Sequence, residues 1–251
     1  MISELKSGVE LPNLTVMDAD SVQFPPHLKG IPSLKRSRRP LYFAGELSLL
    51  SLPAIGFCGS RKSSEKGLDA VRDCCEQAAL GGIAVVSGNA AGIDFAAHFT
   101  ALASGGCTIL VLPEGIHRFR IRKEMRSVWD WTRTLVVSQF EPDAPWSVFR
   151  AMERNELIIG LSRAMVVVEA GETGGTLSAG RATLKAGKPL YVAVYENMPE
   201  NAPGNDLLLK IGGKRLSKSR ASGRAKLAEL FDEVSIPKAR LEAASPQLAL
   251  I

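Results

Sequence analysis

The chain predicts an α/β fold: a doubly wound, mostly parallel sheet with helices on both faces. Three observations predict it. Six short apolar runs, "AIGFCG", "IAVVSG", "TILVLP", "TLVVSQF", "AMVVVEA" and "PLYVAV", recur from residue 54 onward, and continuous apolar runs of that length suit strands covered on both faces. Helix-length segments separate most of them, which is the spacing of βαβ units. Glycine pairs or a Gly-Lys-Pro stop, at Gly81-Gly82, Gly105-Gly106 and Gly187 to Pro189, close three of those segments where a helix C-cap is expected.

Each part of the chain has its own signal. Residues 1–45 are punctuated by Pro12, Pro25, Pro26, Pro32 and Pro40 without sustained periodicity; they read as an arm leading into the domain, with a strand or short hairpin at "PLYFAG". Residues 46–216 hold the regular strand-helix pattern. After "AIGFCG", Ser64 is placed to cap a helix whose stripe is Leu68, Val71, Cys75, Ala78 and Ala79. A second helix is expected over Ile93 to Ala103 and a third over Leu177 to Ala186. Residues 217–251 read as a basic C-terminal tail. No internal repeat is present.

Composition excludes several classes. The chain has 251 residues, 45% of them hydrophobic and 6% aromatic, enough for one core. None of its apolar runs approaches the roughly 18 residues of a membrane helix, so no membrane partner is expected. The start, "MISELKSGVELPNLTV", lacks a secretory pattern, and a cytoplasmic location is expected. Cys58, Cys74, Cys75 and Cys107 form no C-x-x-C pair, so reduced thiols are expected, with no metal site and no cofactor.

Charge is uneven. The net charge is +5, and between Asp206 and Glu229 stand Lys210, Lys214, Arg215, Lys218, Arg220, Arg224 and Lys226 with no acid among them. Further basic runs are Arg118 to Arg126, interrupted by Glu124, and Lys35 to Arg39. Such runs suit either a polyanionic partner or a solvated face.

In an open parallel sheet, anions collect where strand C-termini meet helix N-termini. Three glycine-bearing loops fall there. In "GSRKSS", Gly59 allows close backbone approach, Ser60 offers a hydroxyl and Arg61 a guanidinium fork; the competing reading is a glycine that merely turns strand into helix. In "SGNAAGID", Gly88 and Gly92 bracket a turn, and Asp94 sits in the first helical turn, where the dipole favours it. His98 lies on the same helical face as Asp94, either as its partner or as a buried structural histidine. In "EAGETGGTLSAG", Gly171, Gly174 and Gly175 with Thr173, Thr176 and Ser178 compose an anion cradle, with Glu169 and Glu172 close by and no evident base for either. "FRAMERNELIIGLS" adds Arg154 and Asn155 ahead of an apolar stripe; Arg154 serves either a phosphate or an ion pair with Glu169 or Glu153.

The order of "GSR", "VVSGNAAGIDFAAH", "SQFEPDAPW", "ERNELIIGLSRAMVVVEAGETGGTLSAGRATLKAGKPLYV" and "APGNDLLLKIGG" resembles the DNA-processing protein A (DprA, or Smf) family over Phe24 to Leu216. The resemblance implies an extended Rossmann-like domain that binds single-stranded DNA in a positive pocket, forms a homodimer and helps load a RecA-type recombinase, without catalysis. Carried over by position, the pocket would comprise Gly59, Ser60 and Arg61; Ser87, Gly88, Gly92, Ile93, Asp94 and His98; Arg154 and Asn155; and Gly175. Two positions depart: Ala91 and Glu156 stand where the family usually has arginine. The run of Lys210, Lys214, Arg215, Lys218 and Arg220 is an auxiliary basic segment that would compensate. The chain leaves no room for the flanking modules that the family often carries, so a minimal or divergent member is expected. Trp129, Trp131, Trp146, Phe149 and Phe119 are candidate stacking platforms, most of them expected in the core.

A different class remains open. "ETGGTLSAG" also resembles the "PGGxGTxxE" loop of cytokinin-type phosphoribohydrolases, which points to a nucleotide-binding sensor or a nucleotide hydrolase. Ser178 and Ala179 follow Thr176-Leu177 where that loop places its catalytic acid. A purely structural partner with a vestigial pocket is the third reading.

Overall fold

The computed structural model describes residues 11–22, 24–25, 28–198, 200 and 202–235. Nine strands form one sheet in the order β1-β2-β6-β5-β4-β3-β7-β8-β9. These are β1 (Thr15–Met17), β2 (Leu41–Gly45), β3 (Ala54–Gly59), β4 (Ala84–Ser87), β5 (Thr108–Val111), β6 (Thr134–Ser138), β7 (Ala164–Val168), β8 (Leu190–Ala193) and β9 (Lys214–Leu216). All six runs read as strands are strands, and "PLYFAG" contributes β2. From β6 through to β9 every pairing is parallel; β1 and β2 add an antiparallel edge.

The helices are α1 (Pro32–Ser37), α2 (Glu65–Leu80), α3 (Ile93–Ala103), α4 (Val148–Leu161), α5 (Gly175–Lys185), α6 (Gly204–Lys210) and α7 (Ala228–Val234). Ser64 caps α2 as expected, its hydroxyl oxygen accepting from the Gly67 amide at 3.1 Å. Helix α3 has the expected bounds, and α5 starts two residues earlier than expected because Gly174, at φ 99°, turns the chain directly into it.

Alternation along the strands divides the interior in two. In β3, Ala54 and Cys58 face the cluster that Leu157, Ile158 and Leu161 of α4, Leu177 of α5 and Leu208 of α6 complete. Ile55 and Phe57 face the opposite cluster, built with Val71, Cys75 and Ala78 of α2 and Ile93, Ala97 and Ala101 of α3. Side chains two residues apart on a strand share a face, so one short run serves both layers.

Both ends of the chain are more integrated than expected. Residues 217–235, read as tail, fold back: Lys218 bridges Ala225, Leu227, Leu230 and Val234 are buried with α2, and Arg163 Nη1 donates to the Val234 carbonyl at 2.6 Å. The lead-in likewise joins the sheet through β1 and β2. The hydrophobic core therefore does not divide at residues 45 or 216. Residues 1–10 and 236–251, parts of the expected arm and tail, lie outside the described residues. The four cysteines are free, with Cys107 half-buried and the rest buried, and burial pushes the Cys58 and Cys74 thiols up to about 12.

Candidate functional site

The chain builds β3, β4, β5 and β6 outward in one direction and then crosses back to lay β7, β8 and β9 on the other side of β3. The crevice between β3 and β7 is thus the topological switch point, and the three glycine-bearing loops open at its carboxyl end.

The loop after β3 is tightly fastened. A Cβ on Gly59 would lie 2.4 Å from Ile93 Cγ1 and 2.4 Å from the Val168 carbonyl oxygen, so this glycine lets β7 and α3 approach rather than a ligand. Ser60 Oγ accepts from the Lys62 amide at 3.1 Å, and the Ser60 carbonyl accepts from Ser63 Oγ at 2.7 Å. That turn presents Arg61 to solvent, where its guanidinium makes no hydrogen bond or ion pair among the described residues.

The loop after β4 is held from below. His98 is buried, with Nε2 2.7 Å from the Gly88 carbonyl and Nδ1 2.6 Å from Thr108 Oγ1. A carbonyl only accepts, so Nε2 carries the proton. Burial depresses the imidazole to about 4, so the ring is neutral near pH 7, and the single Thr108 hydroxyl proton is shared between Nδ1 at 2.6 Å and the Val85 carbonyl at 2.9 Å. His98 is therefore the buried structural histidine, not the partner of Asp94. Asp94 Oδ2 instead accepts from the Ala90 amide at 3.2 Å. Ser87 Oγ donates to the Phe57 carbonyl at 2.7 Å inside the sheet. Gly92, at φ 74°, brings the loop against Ser60 and Arg61: a Cβ there would lie 2.3 Å from the Ser60 carbonyl oxygen.

Arg154 lies beneath this loop. It is buried, its Nη1 donates to the Val111 carbonyl at 2.7 Å, and its Nε has no partner among the described residues. Gly88 packs on the guanidinium so closely that a Cβ would fall 1.7 Å from Nη1. Burial lowers the Arg154 pKa, Asp94 and Glu114 oppose that, and Arg61 adds to it; the two arginines therefore share one electrostatic neighbourhood. Arg154 pairs with neither Glu169 nor Glu153. Glu169, at φ 56° and 3% exposed, is bound by the Ser64 amide at 3.0 Å and by the Ser64 and Tyr195 hydroxyls. This clamp ties β7 to the start of α2.

The N-terminus of α5 closes the crevice. Gly174 supplies no side-chain cap, so the amides of Gly175, Thr176 and Leu177 keep the unsatisfied character of a first helical turn. Asn155 Nδ2 lies 3.5 Å from the Gly175 carbonyl oxygen, which joins α4 to α5. Trp146 and Phe149, at the start of α4, are 50% and 76% exposed, with Arg150 beside them. Phe119 is buried, and Trp129 and Trp131 pack half-buried against its cluster.

Sequence reasoning missed two supports. Arg122, read only as part of a basic run, donates through Nη2 to the Asn89 carbonyl at 2.7 Å and lies over the Phe95 ring at 5.8 Å. Tyr195 gave no signal at all, since its partner Glu169 is 26 residues away.

Residues 15–224 match the sequence model of the family described as DNA recombination-mediator protein A. The chain belongs to that family. Protein Smf of Escherichia coli (strain K12) is 33% identical over 185 residues, covering 73% of this chain and 49% of the relative, so the chain spans about half of that protein's length. The crystal structure of DNA processing protein A from Streptococcus pneumoniae superposes with a TM-score of 0.71 at 27% identity, over 81% of this chain and 71% of that one. A structure of DNA processing protein A from Helicobacter pylori, reported for its single-stranded DNA binding mode, has a TM-score of 0.68 at 23% identity, over 81% of this chain and 91% of that one, a likeness of fold.

Within the DNA recombination-mediator protein A fold, the two departures have visible consequences. Ala91 is exposed and brings no charge, while Arg122 sets a guanidinium against the same loop. Glu156 is engaged by α1: its Oε2 accepts from the Ser33 amide at 2.7 Å and its Oε1 lies 3.5 Å from Arg36 Nη2. Its charge stabilises the start of α1. Of the auxiliary run, Lys214 is ion-paired to both Glu229 and Glu233 at 2.6 Å, whereas Lys210, Arg215, Lys218 and Arg220 are exposed.

Proposed function

We propose that the chain binds single-stranded DNA at the β3/β7 mouth and acts as a recombination mediator. In this reading it is a non-catalytic homodimer that holds a strand for a RecA-type recombinase. The observation that carries the reading is Arg61: an exposed guanidinium without a partner among the described residues, held on a hydrogen-bonded turn, at the switch point where α5 also leaves its first-turn amides uncapped. A phosphate there meets the Arg61 fork, the Ser60 hydroxyl proton and the amides of Gly175 and Thr176. Arg154 adds positive charge from below, in a position where solvent screens it less. Trp146 and Phe149 supply exposed ring faces for unpaired bases, which a duplex does not offer.

The non-catalytic part rests on the acids. Glu169 is occupied by Ser64 and Tyr195, and Glu172 is exposed beside the glycines with no base paired to it among the described residues. Release of free base from a nucleoside monophosphate would overturn it.

The deciding measurement is fluorescence anisotropy of a labelled single strand across a salt series, with duplex and free nucleotides as competitors. A steep loss of affinity with salt is expected. Arg61→Ala is expected to weaken binding about tenfold, the loss of one charge-assisted contact, and to flatten the log-log salt slope by about 0.7. If a free nucleotide binds and the strand does not, the mouth is a small-molecule site. Stimulation of strand exchange by a RecA-type recombinase tests the mediator role, and light scattering tests the homodimer.

A further inference from the structure

A second cationic feature lies beyond the Ser64–Glu169–Tyr195 clamp. The C-terminal ends of β8 and β9, the first turns of α2 and the 217–226 loop enclose an open groove of about 930 Å³. Lys66, Arg215, Lys218, Arg220 and Lys226 line it, with Tyr195 in its wall. Against these five cations stand Asp69, already paired to Arg72 at 3.0 Å, and Glu196.

The basic run divides into two jobs. Arg224 is fastened to Asp73 and Glu76 of α2, the Ala225 amide donates to Asp73 Oδ2, and Lys214 is fastened to Glu229 and Glu233 of α7. These contacts fix the segment against the body of the protein. The side chains of Arg215, Lys218, Arg220 and Lys226 make no hydrogen bond or ion pair among the described residues. They stand exposed along one groove. Four like charges held together on a segment anchored by its other two repel one another, and a polyanion sharing the groove relieves that repulsion. All the parallel strands point the same way, so the groove opens on the edge that carries the mouth, and Tyr195 and Ser64 form a common wall between them.

We propose that this groove takes the next segment of the strand bound at the mouth, its phosphates lying along Lys66, Arg215, Lys218 and Arg220. The proposal rests on the reading of the mouth as a single-strand site. It makes the binding footprint longer than the mouth and assigns the 215–226 segment to the DNA backbone rather than to bases.

The test compares oligothymidylates of about 5 and about 20 nucleotides, a range that brackets the site size of small single-strand binders. Anisotropy is measured for the wild-type chain, for Arg61→Ala and for the triple variant Arg215→Ala, Lys218→Ala, Arg220→Ala, with thermal melts to confirm folding. Because these three side chains make no hydrogen bond or ion pair among the described residues, the variant is expected to melt as the wild type does. It is expected to bind the short oligonucleotide within about twofold of wild type, to lose about tenfold or more on the long one, and to flatten the long-strand salt slope by about 2. An unchanged affinity and slope on the long strand, with Arg61→Ala weakening both lengths, overturns the groove and leaves the mouth standing. A wild-type chain that binds neither length overturns the mouth reading itself.

Discussion

Arg61 and Arg154 carry the same guanidinium under opposite constraints. Arg61 is solvated and has no partner among the described residues, so its five donors are available to a ligand at small desolvation cost. Arg154 is 6% exposed and anchored on Val111, so it contributes field rather than contact. His98 shows how the ground between them is kept in shape: one neutral ring holds the Gly88 carbonyl and Thr108 together. Its folded pKa of about 4 lies below the unfolded value of 6.5, so the unfolded chain binds the extra proton between those values and stability falls as pH falls through that window. At pH 5 the loss relative to pH 7.5 is about 2 kcal/mol from this group. Urea unfolding of the wild type and of His98→Gln at the two pH values checks it: the variant is expected to be less stable at pH 7.5 and to lose less on acidification.

At the scale of the element, α4 is the part that must not move, since it carries Arg154 and Asn155 and presents Phe149. Ser147 caps its start, accepting from the Arg150 amide at 3.2 Å. Its far end is held by Lys188, whose Nζ donates to the carbonyls of Ile159 and Ser162 at 2.6 Å and of Gly160 at 3.2 Å. A cation there also meets the negative end of the helix dipole. Lys188→Ala leaves these carbonyls without their donor in a half-buried place, and a loss of about 2 kcal/mol is expected, read as a lower urea midpoint with an unchanged m-value. Helix α5 is the opposite case, with its N-terminus left uncapped at Gly174, the form suited to receiving an anion.

For the whole molecule, the segment after β9 is structural. Leu227, Leu230 and Val234 are all nearly fully buried against α2 and the sheet, worth roughly 6 kcal/mol together at about 2 kcal/mol each. That is comparable to the entire stability of many domains. A chain ending after Leu216 is therefore expected to unfold at much lower temperature than the full chain or to aggregate, as followed by circular dichroism on heating. The six central parallel strands and the three long helices with clear stops were legible in the sequence, because a strand buried on both faces and an amphipathic stripe are local patterns within a few residues. The short α1, α6, β1 and β9 were not, being too brief to show a period. Within the site, the positions of Arg61, Arg154 and the three loops were also legible, since strand C-termini in a parallel sheet converge on one edge. What each residue does there was not. Lys214 and Arg61 are both single cations in sequence, yet Lys214 is paired to Glu229 and Glu233 while Arg61 makes no ion pair or side-chain hydrogen bond among the described residues. Glu156 looks like a defect in a cationic pocket until Ser33 and Arg36 arrive from more than a hundred residues away. Local apolar periodicity and glycine placement are enough to set the fold class and the loops that meet at the switch point. Which charges stay unpaired is set by packing across the sheet, because an ion pair or a buried hydrogen bond is chosen by distance in space.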